Sequence, residues 1–252
     1  MSVPGWDNLN INDLEVGNKI GGGGIGVIHT GYFGNRPVAI KTLFNPRVTD
    51  EVKQEYMDEL LVMSKVKHSN IVEFLGACMT PPNLCFVMEL CSCSVFEILH
   101  VSRENIDEHE ALRIAVDVGY AMEYLHSLKP CIIHRDLKSH NVLRDSNGVY
   151  KLCDFGLVMV KNSAAGTPAY MPPELLLSKT FNRSVDVYSF GILLNELLTL
   201  EIPFTQLDVG EIRRRIIAGE RPALPSLYGN PTRSMELITQ CWYVLAGADY
   251  YY

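Results

Sequence analysis

The chain has 252 residues, of which 47% are hydrophobic and 20% charged, and its formal net charge is -7. This length and composition are typical of a folded globular protein with one large domain or two small lobes. The acidic balance argues against a nucleic-acid-binding surface, and the longest apolar run is too short and too polar for a membrane span.

The first third of the chain is rich in strand-forming residues. Residues 14–44 combine glycine with β-branched residues, which is typical of strands and tight turns. Residues 50–66 place apolar side chains at three- and four-residue steps, which predicts one amphipathic helix. Strand-like runs lie at 25–30, 37–43, 71–76 and 84–90.

From about residue 107 onward, helical patterns dominate. The predicted helices lie at 107–128, 184–199, 208–218 and 232–243. A sheet-rich first part and a helix-rich remainder indicate two lobes, with a boundary near residues 91–95. A cleft between two such lobes is a common place for a small-molecule site.

A glycine run, IGGGGIG at residues 20–26, places Gly21, Gly23 and Gly26 in the pattern G-x-G-x-x-G. A dinucleotide-binding turn requires a helix directly after the glycines, whereas the next residues, VIHTGYF, favour a strand. A P-loop requires Gly-Lys-Ser/Thr after the glycines, and this sequence does not follow here. A flexible linker is also disfavoured, because the run lies between two segments rich in β-branched residues. The run therefore predicts a hairpin loop whose backbone N–H groups approach phosphates, with Lys41 on the following strand.

Four further segments appear in a fixed order along the chain. They are RPVAIK ending at Lys41, HRDLKSHN at 134–141, DFG at 154–156 and GTPAYMPPE at 166–174. Together with the glycine run they resemble the signature set of the eukaryotic protein kinase family.

The resemblance implies an α+β, bilobal protein-kinase fold. Its small antiparallel-sheet N-lobe has one main helix, its larger C-lobe is mainly helical, and ATP binds in the cleft between them. The whole chain, residues 1–252, would form a single kinase domain. The implied N-lobe covers about 12–90, the hinge about 89–94 and the C-lobe about 95–252.

The resemblance also implies the catalytic roles. Asp136 would accept the proton of the substrate hydroxyl, and Asn141 and Asp154 would hold Mg²⁺, a hard cation that prefers oxygen ligands. Lys41 would bind the phosphates of ATP and would be oriented by a glutamate of the 50–66 helix. Glu55 and Glu59 are both candidates, and the family spacing to the HSN segment favours Glu59.

Two residues indicate the class of acceptor. Lys138 resembles the lysine with which serine/threonine kinases contact the transferred phosphate, and Thr167 resembles the threonine near the substrate hydroxyl. Both disfavour a tyrosine kinase. Within the family the sequence is most similar to the tyrosine-kinase-like group, whose members phosphorylate serine and threonine. Protein substrates bearing these residues are the implied partners.

The ATP site implied by the resemblance has a glycine-rich loop, a hydrophobic sandwich for adenine and a connecting segment. Its residues are Ile20, Gly21, Gly22, Gly23, Gly24, Ile25, Gly26, Val27, Ile28, Ala39, Lys41, Met88, Glu89, Leu90, Cys91 and Leu143. Cys153 precedes Asp154, and its thiol is interpreted either as a small buried hydrophobic group or as a reactive group in the pocket.

Other motif residues are expected to have structural or regulatory roles. His134 would pack in the core, Asp186 would anchor the catalytic-loop backbone, and Arg135 would bind a phosphorylated activation segment. Ser163 is the candidate phosphoacceptor of that segment.

The resemblance breaks after Trp242, where the family normally continues with a D-P-x-x-R-P segment and a last helix. The arginine of that segment usually pairs with the glutamate that Glu174 represents here. We therefore expect Glu174 to be buried without its partner and the C-lobe to be fragile, since an unpaired buried charge costs about 3–5 kcal/mol.

Cysteine usage and the amino terminus bear on localisation. The seven cysteines are scattered and odd in number, which suits reduced thiols, and the first residues lack the features of a signal peptide. The expectation is a cytoplasmic protein or the intracellular part of a larger one, of undetermined oligomeric state. The alternative function is a kinase-fold scaffold with little catalysis, which the missing last helix favours and the intact Lys41, Asp136 and Asp154 disfavour.

Overall fold

The amino-terminal part of the chain forms a five-stranded antiparallel sheet. A computed structural model describes residues 9–23, 26–43, 60–61, 63–80, 83–154, 167–225 and 233–243. After a 3-10 turn at Ile11–Asp13, the strands are β1 (Leu14–Gly23), β2 (Gly26–Phe33), β3 (Arg36–Leu43), β4 (Phe74–Thr80) and β5 (Asn83–Glu89). Their order across the sheet is β1-β2-β3-β5-β4.

Each face of this sheet carries its own apolar cluster, because successive side chains of a strand point to opposite faces. Val38, Ile40 and Val87 belong to a cluster on one face, which the amino-terminal Leu9 also joins. Phe86 of β5 belongs to the cluster that contains Leu60, from the end of the predicted 50–66 helix.

The second part of the chain combines a small sheet with most of the helices. The sheet contains β6 (Cys93–Ser94), β7 (Val142–Arg144) and β8 (Tyr150–Leu152). The helices are a π-helix at Glu97–Val101, α1 (Glu108–Ser127), α2 (Pro173–Leu176), α3 (Ser184–Thr199), α4 (Val209–Ile217) and α5 (Arg233–Trp242). Two 3-10 turns lie at Ser139–Asn141 and Pro168–Tyr170.

Helix α3 is the core of the C-lobe and packs against both α1 and α5. Its Ile192 and Leu193 are fully buried together with Ile114 of α1, and its polar residues Asn195 and Glu196 are buried too. Gly191 lies at the contact with α5, where an added Cβ would be 2.6 Å from the Cβ of Cys241. The glycine therefore sets how closely these two helices approach.

Strand β8 joins the two lobes. The Leu152 N–H donates to the Asn70 carbonyl at 2.8 Å, and the Val72 N–H donates to the Leu152 carbonyl at 3.0 Å. Beside them, the Lys151 ammonium lies 2.7 Å from the carboxylate of Glu89 at the end of β5. The cleft between the lobes is therefore bounded by hydrogen bonds and an ion pair on this side.

The four helices predicted from residue 107 onward agree with the observed ones to within one residue at each end, and the two-lobed α+β architecture is confirmed. The strand predicted at 71–76 was wrong at its start, because Ile71 and Val72 pair with β8 instead of continuing β4. Strand β1 was not among the predicted runs, since its glycine-rich end supplies few side chains for a strand pattern. Most of the predicted 50–66 helix lies outside the described residues. In the described ranges, no helix has the length and apolarity needed to cross a membrane.

The Gly191 contact predicts a change in stability. Gly191→Ala should lower the free energy of unfolding by about 1–3 kcal/mol, because the added methyl group overpacks the α3–α5 contact. A Cβ added at Gly119, in α1, would meet no neighbouring group within 4 Å. Gly119→Ala should therefore raise stability by roughly 0.5–1 kcal/mol through helix propensity. Urea denaturation of both variants measures the difference, and the same sign for both would contradict this account.

Candidate active site

The glycine run forms the tip of the β1–β2 hairpin. Gly23 pairs with Gly26, Gly22 with Val27 and Gly21 with Ile28 across the two strands. Residues 24–25 at the tip lie outside the described residues. A Cβ on Gly22 would lie 3.3 Å from the Gly26 carbonyl oxygen, so the two strands approach closely here. The hairpin conformation agrees with the prediction from the sequence and presents backbone rather than side chains near its tip.

Lys41 connects the five-stranded sheet to the beginning of the DFG segment. Its side chain is buried, and its Nζ donates to Asp154 Oδ1 at 2.7 Å. Lys41 lies on β3 between Ile28 of β2 and Phe86 of β5, so the sheet fixes its position. The structure thus places a lysine and an aspartate that are far apart in sequence in direct contact.

The catalytic loop holds three polar side chains in one cluster. Lys138 Nζ lies 3.0 and 2.8 Å from the two carboxylate oxygens of Asp136. Asn141 Nδ2 donates to the Asp136 carbonyl at 2.8 Å and to its Oδ2 at 3.0 Å. The Asp136 side chain is 38% exposed, so the carboxylate is held on one side and open on the other.

The backbone of this loop is anchored by Asp186 of α3, which is buried. Its Oδ2 accepts from the His134 N–H and its Oδ1 from the Arg135 N–H, both at 2.8 Å. His126 at the end of α1 places Nε2 2.8 Å from the same carboxylate. Arg135 has φ of 66°, a left-handed conformation that a non-glycine residue adopts only when its surroundings hold it there.

His134 links the loop to the strand that carries the DFG segment. Its Nδ1 accepts from the Asp136 N–H at 3.2 Å, and its Nε2 lies 3.0 Å from the Cys153 carbonyl. These contacts fit a neutral ring with the proton on Nε2, because a carbonyl can only accept. The fully buried His134 thus spans the space between Asp136 and the residue before Asp154.

The residues expected around adenine lie on both sides of the cleft. Ala39 on β3 pairs with Met88 on β5, and both are buried in the N-lobe. Leu143 on β7 pairs with Lys151 and is partly buried in the C-lobe. Glu89 is the last residue of β5 and Cys91 lies in the chain between β5 and β6, at the point where the lobes meet.

Two thiols of this region are held in the protonated form. Burial raises the pKa of Cys91 to about 12, and the negative charge of Glu89 adds to this effect. Burial also raises the pKa of Cys153 well above its ordinary value, and the Asp154 carboxylate contributes in the same direction. Because the thiolate is the nucleophile, this favours the interpretation of Cys153 as a small hydrophobic group.

The segment after residue 166 lies against the same loop. Thr167 is partly buried and directly precedes the 3-10 turn that contains Tyr170. Glu174 in α2 is only partly buried, which corrects the expectation of a buried, unpaired carboxylate and lowers the cost of leaving it unpaired. Within the described ranges, the Arg221 guanidinium lies over the Tyr188 ring at 5.1 Å. Burial raises the pKa of Tyr188, and the negative charge of Glu174 acts in the same direction.

Several expected site residues lie outside the described residues. They are Gly24, Ile25, Glu59 and Ser163, together with Phe155 and Gly156 of the DFG segment. The choice of Glu59 over Glu55 therefore stays a prediction.

Sequence reasoning missed two polar features near the site. The Lys151–Glu89 ion pair is not part of any sequence motif. Only the burial of the two strands that carry these residues, β8 and β5, could have suggested it. Glu196 is fully buried and accepts hydrogen bonds from three segments of the C-lobe. The signal for Glu196 was an acidic residue inside the apolar run FGILLNELLTL, where a charge requires partners.

Asn141 and Asp154 suit a magnesium ion by the chemistry of their donors, an amide oxygen and a carboxylate. The two hydrogen bonds from Asn141 Nδ2 to Asp136 direct its Oδ1 away from that residue. Within the described ranges, no group of three or more His, Cys, Asp or Glu residues could hold a metal. This is compatible with Mg²⁺, which is bound by one or two protein oxygens plus phosphates and water in nucleotide sites.

The chain resembles known proteins along nearly its whole length. Residues 14–243 match the family described as protein kinase domain. The serine/threonine-protein kinase CTR1 of Arabidopsis thaliana is 41% identical over 222 residues, which cover 84% of this chain and 26% of that protein. The serine/threonine-protein kinase STY46 of the same organism is 35% identical over 249 residues, covering 94% and 42%. A probable serine/threonine-protein kinase of Dictyostelium discoideum is 35% identical over 244 residues, covering 93% and 26%. The chain thus spans between about a quarter and two fifths of the length of these relatives.

The raised pKa of Cys91 predicts its reactivity with pH. Because only the thiolate reacts, alkylation of native Cys91 by iodoacetamide should accelerate about tenfold per pH unit from pH 7.5 to 9.5. An ordinary thiol, with a pKa of about 8.5, levels off in that range. Peptide mass spectrometry after short pulses measures the rate, and the urea-unfolded chain is the control. A plateau near pH 9 in the native protein would contradict the assignment.

Proposed function

The chain belongs to the protein kinase family, and on that basis we propose that it transfers the γ-phosphate of ATP to serine and threonine hydroxyls of proteins. Its relatives are named as serine/threonine-protein kinases. They support the tyrosine-kinase-like group that the sequence indicated. Since this chain spans only part of each relative, the proposal concerns the chemistry of the kinase domain, and the substrate protein stays open.

One observation carries the proposal: the cluster in which Asp136 contacts Lys138 and Asn141 at 2.8 to 3.0 Å. A carboxylate held by a cation and an amide, but open on its remaining side, can accept the proton of an approaching hydroxyl. Phosphoryl transfer depends mainly on positioning and charge neutralisation, which this arrangement provides.

Each residue would have a defined task. Asp136 would accept the hydroxyl proton, and Lys138 would neutralise charge on the transferred phosphate. Lys41 would bind the phosphates of ATP from the side of the N-lobe. Asn141 and Asp154 would hold Mg²⁺, which when bound neutralises and orients the phosphate oxygens. The bond between Lys41 and Asp154 holds these two charged groups of the proposed site next to each other.

The remaining ATP contacts follow from the two lobes. The β1–β2 hairpin, with Ile20 to Ile28, would cover the phosphates. Adenine would lie between Ala39 and Leu143 and hydrogen-bond to the backbone of the segment 89–91, with Met88 behind it. We propose residues 89–94 as the hinge between an N-lobe at about 12–90 and a C-lobe at about 95–252.

The alternative function, a kinase-fold scaffold without catalysis, has little support. Scaffolds of this kind usually lack the lysine or one of the two aspartates, whereas Lys41, Asp136 and Asp154 are all present. Regulation by phosphorylation of Ser163 and binding of that phosphate by Arg135 stays a prediction. The Arg135 guanidinium lies over the Phe181 ring at 4.8 Å, and Ser163 lies outside the described residues.

The role of Asp136 predicts a large loss of activity on removing its charge. Asp136→Asn should lower phosphate transfer from radiolabelled ATP to a generic protein substrate by about a hundredfold to ten-thousandfold, the range of general base catalysis. Asp208→Asn is the matched control, because asparagine caps α4 through the same backbone bonds as Asp208. An excess of EDTA should abolish transfer by the wild type, and added Mg²⁺ should restore it.

Equal, background-level transfer by folded wild type and Asp136→Asn would overturn the catalytic proposal in favour of the scaffold. Circular dichroism establishes that both proteins are folded before the comparison.

The acceptor class is tested separately. The test uses three peptides that differ only in carrying Ser, Thr or Tyr at one position. The wild type should phosphorylate the Ser and Thr peptides, and the rate for the Tyr peptide should be at least about tenfold lower. Phosphoamino-acid analysis of the products gives the ratio. A preference for tyrosine would refute the role assigned to Lys138 and Thr167.

A further inference from the structure

His140 is an exposed histidine in the catalytic loop, and the chemistry proposed above does not use it. It is the middle residue of the 3-10 turn Ser139–Asn141. Ser139 and Asn141 are both buried, so the turn brings the His140 side chain to the surface. The Asn141 amide binds Asp136 at 2.8 and 3.0 Å. An exposed ring therefore lies directly beside the cluster that holds the proposed base.

The His140 ring is the outer end of a row of three rings. It stacks on Phe96 with the ring centroids 3.7 Å apart and an angle of 21° between the planes. Phe96 in turn packs against His100, with centroids 4.9 Å apart and an angle of 55°. At the inner end, His100 Nε2 lies 2.8 Å from Oε1 of the buried Glu196. The row thus runs from the core of the C-lobe to the surface.

The place of His140 in this row leaves one face of its ring open. Phe96 covers the other face, and His140 is nevertheless exposed to solvent. Aromatic pairs attract each other by more than the apolar area that they bury, and they do so in stacked as well as edge-to-face arrangements. A ring that is supported on one face and open on the other is therefore suited to contact with one further aromatic ring.

The charges near the open face do not favour a basic group. Lys138, two residues before His140, is positively charged. An imidazole is either neutral or positive, so it cannot form an ion pair with a substrate arginine or lysine. Glu97 in the π-helix is exposed, but its Oε2 accepts from the N–H and the hydroxyl of Ser94 at 2.8 and 2.9 Å. That carboxylate is therefore engaged at the beginning of its own helix.

We propose that the open face of His140 is a subsite for an aromatic side chain of the protein substrate. His140 follows Asp136 by four positions, so an extended substrate covers the distance between them with about four residues at most. The preferred substrate is thus a serine or threonine segment with a Phe, Tyr or Trp within about four residues of the phosphorylated hydroxyl. The inference rests on the proposed function and narrows its class of substrate.

A role of His140 in packing alone would give a different pattern. If the imidazole only covered Phe96, its removal would change the activity on all peptides by the same factor. A subsite predicts that the effect of removing the ring depends on whether the peptide carries an aromatic residue. The ratio between two peptides therefore separates the two roles.

The experiment is an aromatic scan of a peptide substrate. The starting peptide has one serine and an otherwise fixed sequence without aromatic residues, with alanine at the four positions on either side. Phenylalanine replaces each of these alanines in turn. At one position, it should raise the kcat/KM of the wild type about three- to tenfold, the scale of one aromatic pair. Arginine at the same position should give no such gain.

Variants of the enzyme assign the gain to the ring. His140→Ala should reduce the ratio of kcat/KM between the phenylalanine and alanine peptides to about one, whereas His140→Phe, which keeps a flat ring on Phe96, should retain it. His109→Ala is the matched control, because His109 is an exposed histidine in α1, and it should leave the ratio unchanged. Both peptides are measured on the same preparation, so any change in the folded fraction cancels from the ratio.

Three results would overturn the proposal while transfer is measurable. They are a scan without a gain at any position, a phenylalanine gain that survives in His140→Ala, and a preference for arginine over phenylalanine. The last result would point to recognition by the Glu97 carboxylate instead. A wild type that phosphorylates none of the peptides would overturn the proposed function itself, and the subsite with it, so the two failures are distinguishable.

Discussion

The carboxylate of Asp186 is the interaction on which the geometry of the active site depends. From inside α3 it accepts the backbone N–H groups of His134 and Arg135, and it also contacts His126. Without it, Arg135 would have no reason to hold a left-handed φ of 66°, and Asp136 would not point where it does. Asp154, with φ of 57°, has the same kind of backbone and is restrained from the other side by Lys41. The reactive segments are thus irregular chain whose shape is imposed by buried charges.

Helix α3 carries both of the charges that impose this shape. Asp186 in its first turn holds the beginning of the catalytic loop, and Glu196 near its end holds Ser139 farther along the same loop. The rest of the helix is packed among apolar side chains, with Gly191 allowing close contact with α5. A rigid, buried element therefore provides two fixed points, and the functional loop spans them. This division between scaffold and loop explains how the polar residues of a loop can be positioned accurately by the elements around it.

Motifs with a fixed local spacing were readable from the sequence, and contacts over long sequence distances were not. HRDLKSHN and DFG identified the polar residues of the site because family resemblance carries roles along with residue types. Helix bounds followed from apolar periodicity, while the start of β4 did not, because Ile71 and Val72 bury against β8 as they would in a strand. The Lys151–Glu89 pair and the partners of Glu196 depend on which elements pack together. A single sequence offers only a hint of these, in the form of charges within apolar runs.

The order of these residues along the chain has a consequence for synthesis. Residues 134–141 of the catalytic loop leave the ribosome well before Asp186 and Glu196, the two side chains that hold them. The Lys41–Asp154 contact likewise joins residues 113 positions apart. A nascent chain that already contains every motif from the glycine run to DFG consequently still lacks the anchors of its catalytic loop. The proposed phosphate transfer would therefore require that α3 has been translated and packed, although the signature residues are present before that.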